Sequence, residues 1–161
     1  MDIYEAISRR ESIRNYPGGT LTREELDKVK ELLGETGNYD ESVSTDAKLV
    51  GNGRQFQEDI SGVIADYGKV RAPHYLVLTS NGGDQGLGEL GYRYELVVLA
   101  LTAMGVGTCW IGKGFSDAEL EGYIEIPTDQ SPKALIAFGP VADQKLKVIE
   151  EPKRKDLDAF L

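Results

Sequence analysis

The stretch that decides the fold is residues 91–114, GYRYELVVLALTAMGVGTCWIGKG. Every residue from Leu96 to Leu101 is apolar, and a helix that is apolar all round has to be enclosed by protein on every side. The run is much shorter than the ~20 residues of a membrane-spanning helix, so we expect a buried core helix of a soluble domain. Gly105 predicts the end of this helix, because glycine readily adopts the positive φ of a helix terminus.

A short strand should follow the helix. After Gly107, Thr108-Cys109-Trp110-Ile111 is a run of β-favouring residues that ends at Gly112. The glycine-rich exit of this strand would leave backbone N–H groups accessible to a planar ligand that needs hydrogen bonds along one edge. The sequence therefore predicts a binding site at this exit.

Length, charge and cysteine content limit the possible classes of protein. The chain has 161 residues, which fits one domain spanning residues 1–161. Cys109 is the only cysteine, so no disulfide can form within the chain, and no apolar secretory segment is visible; we expect a reducing, cytoplasmic location. The net charge of −9 argues against a nucleic acid or an anionic membrane as partner.

Basic residues are concentrated near the two termini, whereas the middle of the chain is acidic. Arg10, Ser12 and Arg14 stand at a spacing of two. In an extended segment their side chains share one face with about 6.6 Å between neighbours, a suitable span for a phosphate group. Without further support, an ordinary pair of solvated surface arginines explains the same pattern.

Periodicity and turn residues predict the remaining elements. Residues 2–10 indicate a short helix, Thr22 and Glu25 form a capping box for a second helix that ends at Gly34, and Ser116 caps a short helix. Residues 74–79 and 133–138 indicate buried strands. Residues 35–53 are polar and predict a long loop, a candidate lid. Residues 55–67 fit a helix or irregular extended structure.

Neither the single histidine nor the single cysteine has the neighbours that catalysis needs. His74 stands at a strand entrance and Cys109 has no adjacent basic residue, so we interpret both as structural. One His and one Cys do not suffice for a metal site. Paired carboxylates, a Ser-His-Asp set and a P-loop are also missing from the sequence.

Four segments together resemble the nitroreductase-like flavoproteins, in particular their short branch related to a small thermophile nitroreductase. Residues 91–112 are similar to the family's GY..E...L.L...GLGTCWIG, and residues 72–80 and 132–140 to its APHY.VL.S and P.A.IA.G.P. Residues 10–16, RESIRNY, are similar to the family's RRSIRKY. Glu11 replaces the central arginine, but in an extended segment its side chain points to the face opposite Arg10, Ser12 and Arg14. Residues 41–45 do not reproduce the APS..N.QPW signature of larger members.

The resemblance implies an α+β fold with a mixed or antiparallel central sheet flanked by helices. It also implies a homodimer formed through the helix of residues 91–104, and FMN as the cofactor that carries the chemistry, with no catalytic side chain. Hydride would pass from NAD(P)H through FMN to nitroaromatics, quinones or similar small acceptors. The residues implied to bind FMN are Arg10, Ser12, Arg14, Ile111, Gly112, Lys113, Lys153 and Arg154, with Lys155 as an alternative to Lys153.

Two other functions remain compatible with the sequence. One is a flavin-binding carrier or sensor without turnover, which the missing loop signature keeps open. The other is an interaction module of α/β type without a cofactor. The sequence leaves open the physiological acceptor and the choice between NADH, NADPH and another donor.

Overall fold

The computed structural model describes residues 1–17, 19–60, 70–112, 114–141, 146 and 158. Lys113 and the basic stretch 153–155 lie outside the described residues, as do residues 61–67 of the ambiguous segment. The elements in chain order are α1 (Ile3–Arg9), α2 (Arg23–Glu35), β1 (Thr45–Val50), α3 (Gly53–Asp59), β2 (His74–Ser80), α4 (Asp84–Ala103), β3 (Val106–Gly112), α5 (Asp117–Leu120) and β4 (Ser131–Pro140).

The four strands form one sheet in the order β1-β2-β4-β3, in which all neighbours are antiparallel. The predicted α+β class with a central sheet is therefore confirmed. β2 is buried along its whole length, because Tyr75 and Val77 pack into one core cluster while Leu76 and Leu78 pack into another on the opposite face. This two-sided burial explains why β2 is a continuous apolar run rather than an alternating one.

The helices cover both faces of the sheet. α2 and α4 contribute to the cluster that contains Leu76, whereas Phe56 of α3 and Leu120 of α5 belong to the cluster that contains Tyr75. Within the α4 sequence the buried apolar residues recur at helical spacing. They are Leu90, Tyr94, Val97, Val98 and Leu101.

α4 and β3 confirm the predicted helix, glycine stop and strand. The helix begins at Asp84, seven residues before the quoted stretch, and Gly105 follows it with φ of 79°. The expectation of complete enclosure is wrong for the single chain: Leu96 is 40% exposed and Tyr92 is 52% exposed. Only the faces of α4 that meet the sheet and its neighbouring helices are covered.

The predicted loop over residues 35–53 is wrong, because it contains β1. This strand pairs with β2 along its length, from Thr45 opposite Ser80 to Val50 opposite Tyr75. Ala47 and Leu49 pack partly against the core while Asp46 and Lys48 alternate with them. A strand that alternates polar and apolar residues at intermediate burial is not detected by a search for continuous apolar runs.

The segment between α2 and β1 is fixed by side chains of α4, so it does not form a free lid. The Glu89 carboxylate is 3% exposed and accepts hydrogen bonds from the backbone N–H groups of Tyr39 (2.7 Å) and Asp40 (2.9 Å). Arg93 also reaches this segment, through donors to Thr36 and Asn38. Two polar residues of one helix therefore hold the connection in place.

Two boundaries differ from the sequence predictions in smaller ways. α2 carries the predicted capping box of Thr22 and Glu25 but continues through Gly34 to Glu35, because Gly34 does not adopt a positive φ that would end the helix. The ambiguous segment begins with α3, whose N-cap Asn52 accepts a hydrogen bond from the Gln55 N–H. The predicted strands over 74–79 and 133–138 are confirmed as β2 and β4.

The two residues interpreted as structural are built into the core. His74 is 2% exposed; its Nε2 accepts from the Leu21 N–H at 3.0 Å, so its Nδ1 donates to the Gly51 carbonyl at 2.8 Å. Cys109 is a free thiol at 3% exposure. Both side chains thus lie where packing, rather than solvent access, determines their surroundings.

Candidate functional site

The segment of residues 10–16 leaves α1 and passes along the outer edge of β3; we call it the N-terminal edge segment. Ser12 forms a parallel bridge with Thr108, and the Ile13 N–H donates to the Thr108 carbonyl at 2.8 Å. A Cβ on Gly107 would come within 2.8 Å of Ile13 Cγ1. The glycine therefore allows the segment to approach the strand this closely.

Arg10, Ser12 and Arg14 all lie near enough to the Cys109 thiol to influence its pKa. Burial raises the pKa of Cys109, while Arg14, a hydrogen bond with the Ser12 side chain, and Arg10 act in the opposite direction. Arg14 Nη1 also donates to the Ser12 carbonyl at 3.3 Å. The structure thus places two guanidinium groups and a hydroxyl on the same short stretch of the β3 edge.

Glu95 of α4 holds Arg10 and Trp110 on the same side of the sheet. Its Oε2 accepts from Trp110 Nε1 at 2.8 Å, and its Oε1 lies 3.7 Å from Arg10 Nε. Sequence reasoning overlooked Glu95 as a site residue. The available signal was an acidic residue directly before the apolar run that starts at Leu96.

The outer edge of β3 is open beyond the Ser12 bridge, within the part of the chain that the structure describes. Because the Thr108 carbonyl points outward to Ile13, strand alternation also directs the backbone groups of Trp110 and Gly112 outward. From Thr108 to Gly112 an extended strand covers about 13 Å. The open edge therefore connects the cationic cluster with the exposed glycine at the end of β3.

Ile111 and Gly112 take different positions at this edge. The Ile111 side chain is 2% exposed and packs into the core cluster that contains Tyr75, and its backbone faces Leu135 of β4. Gly112 is exposed. Of the two, Gly112 has the more accessible backbone, and Ile111 anchors the strand that carries it.

The beginning of the C-terminal region reaches α1. Leu146 is 4% exposed, and its carbonyl accepts from Arg9 Nη1 at 3.1 Å. Lys153, Arg154 and Lys155 lie outside the described residues, so their approach to Arg10 and Arg14 stays a prediction.

The residues present fit a ligand with a phosphate group. Arg10 and Arg14 provide charge-assisted donors, and Ser12 adds a hydroxyl. The Thr108 side chain, on the strand residue that pairs with Ser12, has a buried hydroxyl oxygen without a hydrogen-bond partner among the described residues. Such an orphaned polar atom is unusual in a folded protein, but it faces the α4 side of the sheet, like Val106 and Trp110, and not the open edge.

Other site types find no support in the described ranges. Residues 1–17, 19–60, 70–112, 114–141, 146 and 158 include no group of three or more His, Cys, Asp or Glu side chains placed to hold a metal ion. Among the helices described, none combines the length and apolar character needed to cross a bilayer.

An antiparallel sheet covered by helices on both faces, with an arginine-bearing segment along its edge, defines an α+β protein. Residues 2–161 match the model of the family described as "Putative TM nitroreductase", and the chain belongs to this family. No match was found among curated proteins.

Solved structures show the same fold at low sequence identity. A nitroreductase with bound FMN from Desulfitobacterium hafniense DCB-2 has a TM-score of 0.73 and 17% identity, with 98% of this chain and 96% of that chain covered. A nitroreductase with bound FMN from Bacteroides fragilis NCTC 9343 gives 0.70 and 20%, covering 96% and 95%. A nitroreductase family protein from Clostridium novyi NT gives 0.70 and 24%, covering 90% and 89%.

Proposed function

We propose that this protein is an FMN-dependent oxidoreductase that takes hydride from NAD(P)H and passes it to nitroaromatics, quinones or similar small acceptors. The observation that carries the proposal is the position of Arg10, Ser12 and Arg14 beside the open edge of β3, where Ser12 bridges Thr108 and Arg14 donates to the Ser12 carbonyl. Membership of a nitroreductase family and fold neighbours with bound FMN support it.

The chain's own residues would bind and orient the cofactor. Arg10 and Arg14 would neutralise the phosphate, with the Ser12 hydroxyl as a further donor. Glu95 would restrain the Arg10 side chain, because the Glu95 carboxylate is itself held by the Trp110 indole N–H. We further propose that Lys153 and Arg154 complete the phosphate site from the C-terminal tail, with Lys155 as the alternative to Lys153.

The ring system would lie at the far end of the β3 edge. The backbone N–H of Gly112, joined by that of Lys113, would donate to the N5 and O4 edge of the isoalloxazine. When bound, FMN supplies the hydride transfer itself, which no side chain in this site needs to perform.

The phosphate assignment is tested by the double substitution Arg10→Ala with Arg14→Ala. The purified variant should be colourless and should lack the flavin absorption band, because both guanidiniums of the cluster are gone. Arg23→Ala is the matched control, since Arg23 is exposed at the start of α2; this variant should stay yellow. Retention of FMN by the double variant at the wild-type ratio would reject the assignment.

Turnover separates the enzyme from a flavin carrier or sensor. Anaerobic mixing with NADH and with NADPH should bleach the flavin rapidly, and a quinone or nitroaromatic should then restore its colour. A flavin-loaded protein that neither nucleotide bleaches would favour the carrier. We place this activity in the cytoplasm, on the basis of the single buried thiol.

We also propose a homodimer formed through α4. The helix leaves Leu96 exposed, and α1, which packs on α4, leaves Ile3 and Ile7 exposed at 42% and 57%. Apolar residues clustered on neighbouring helices favour association. Leu96→Glu should shift the protein to monomer in analytical ultracentrifugation, whereas Gln55→Glu, which adds the same charge at an exposed position of α3, should not. A wild-type monomer with full flavin content would contradict the dimer.

A further inference from the structure

A cleft lies where β2 begins, next to the end of the N-terminal edge segment. Its volume is about 500 Å³, within the range of about 300–1,000 Å³ typical of small-molecule sites. Tyr16, Ala72 and Pro73 provide buried apolar surface, and Arg54 and Arg71 stand at the exposed rim. No residue of the cationic cluster lines this cleft.

Tight backbone packing fixes the two arginines on the same cleft. The Gly53 N–H donates to the Pro73 carbonyl at 2.7 Å, and a Cβ on Gly53 would lie 2.6 Å from that carbonyl group. The start of α3 is therefore docked against Pro73, with Arg54 as the next residue. Arg71 is held by its own N–H, which donates to the Arg14 carbonyl at 3.4 Å.

The apolar floor of the cleft is equally fixed. The Tyr16 hydroxyl donates to the Ala137 carbonyl at 3.2 Å, and burial raises the pKa of Tyr16, so the phenol stays neutral. A Cβ on Gly139 would meet the Pro73 ring at 2.5 Å and Tyr16 Cδ1 at 3.2 Å. The ring surfaces of Tyr16 and Pro73 are thus packed from behind and present a rigid wall.

A neutral donor completes the rim. The Tyr75 hydroxyl donates to Gln57 Oε1 at 3.3 Å, which leaves the amide NH₂ of Gln57 as the group available to the cleft.

The charge at the rim selects a monoanion. Within the described ranges, neither the Arg54 nor the Arg71 guanidinium has an ion-pair partner, although the whole chain carries −9. One carboxylate, Glu58, lines the cleft together with Arg54 and Arg71. A guanidinium fork matches a planar carboxylate, and the Glu58 charge disfavours a dianion such as a phosphate monoester.

We propose that this cleft binds a small aromatic carboxylate, with its ring against Tyr16 and Pro73 and its carboxylate between Arg54 and Arg71. The site is separate from the proposed FMN site and does not depend on redox activity.

Isothermal titration calorimetry of the purified full-length protein with benzoate tests the proposal, with neutral benzamide as the matched ligand. Benzoate should bind, and the double variant Arg54→Gln with Arg71→Gln should weaken its binding by tenfold or more. Benzamide should bind weakly and equally to both proteins. Arg23→Gln should change benzoate binding less than twofold, and the cleft variants should keep the wild-type FMN content and melting temperature, which separates loss of the site from loss of the fold.

Four results would overturn the proposal: no heat of binding with benzoate, unchanged benzoate affinity in the double variant, equal affinity for benzamide and benzoate in the wild type, or tighter binding of inorganic phosphate than of benzoate. All four are measured without turnover, so failure of the proposed enzymatic function leaves this test intact.

Discussion

Replacing Arg93 by methionine should lower the free energy of unfolding by about 3 kcal/mol. Arg93 connects α4 with three other parts of the chain. Its Nε donates to Thr36 Oγ1 at 2.9 Å, its Nη1 to the Asn38 side chain and to both oxygens of Thr45 at 3.1 Å, and its Nη2 to the Leu33 carbonyl at 3.3 Å. The end of α2, the following connection and the start of β1 thus share one guanidinium.

The magnitude follows from the bonds that are shielded from solvent. Each hydrogen bond to a charged group contributes about 1.5–3 kcal/mol, but the bond to Asn38 is exposed, and bonds that share one donor group are not additive. Counting only the Thr36 bond and one Thr45 bond, at the low end of the range, gives about 3 kcal/mol. Methionine keeps most of the apolar stem of Arg93, so the loss in the free energy of unfolding measures the contribution of the guanidinium group.

Urea unfolding followed by circular dichroism measures the effect, together with hydrogen exchange of residues 36–45. Arg93→Lys should cost about half as much, because one ammonium group cannot span the fork. Arg23→Met, at an exposed arginine, should stay within about 0.5 kcal/mol of the wild type. A loss below about 1 kcal/mol in Arg93→Met, with unchanged exchange over 36–45, would refute the reasoning.

Two further predictions concern a pH dependence and a close approach. Burial lowers the pKa of His74 from its usual 6.5, and its hydrogen bond to the Gly51 carbonyl partly opposes this shift. Neutral His74 therefore contributes its full stabilisation of the fold above pH 6.5. This contribution decreases as the pH falls below 6.5, because the charged ring can no longer accept the Leu21 N–H. Between about pH 7.5 and 5.5, the free energy of unfolding in urea should change less for His74→Gln than for the wild type. An equal change in both proteins would count against this role of His74. Gly107→Ala should cost about 1–3 kcal/mol, because its Cβ would meet Val141 Cγ1 at 2.5 Å and Ile13 Cγ1 at 2.8 Å. Gly88→Ala, with nothing within 4 Å, should be neutral or stabilising in thermal melts. Equal melting temperatures of the two variants would exclude the clash.

The sequence predicted the elements whose burial is strongest. α4 and β3 follow from an apolar run between glycines, and β2 from a continuous run of β-favouring residues. β1 was missed because it is half-buried, with Asp46 and Lys48 alternating with Ala47 and Leu49 at similar intermediate burial. The exposure of Leu96 was also missed. An apolar residue in the sequence does not by itself show whether another part of the chain covers it.

The candidate site was predictable only as far as local spacing reaches. Arg10, Ser12 and Arg14 were grouped by their alternation, and the structure holds this segment beside β3 through the bridge between Ser12 and Thr108. The partners of this segment, Thr108 and Glu95, are distant in sequence. Such pairings depend on topology, which residue patterns do not specify.

The position of the N-terminal edge segment has a consequence for biosynthesis. The Met1 amine contacts the Ala103 carbonyl 102 residues later in the chain, and Ser12 bridges Thr108. At about 5–20 residues per second on the ribosome, these contacts become possible only some 5–20 s after the segment has been made. During that interval the arginine-bearing segment has no β3 edge to dock on, so it reaches its native position well after it has been synthesised.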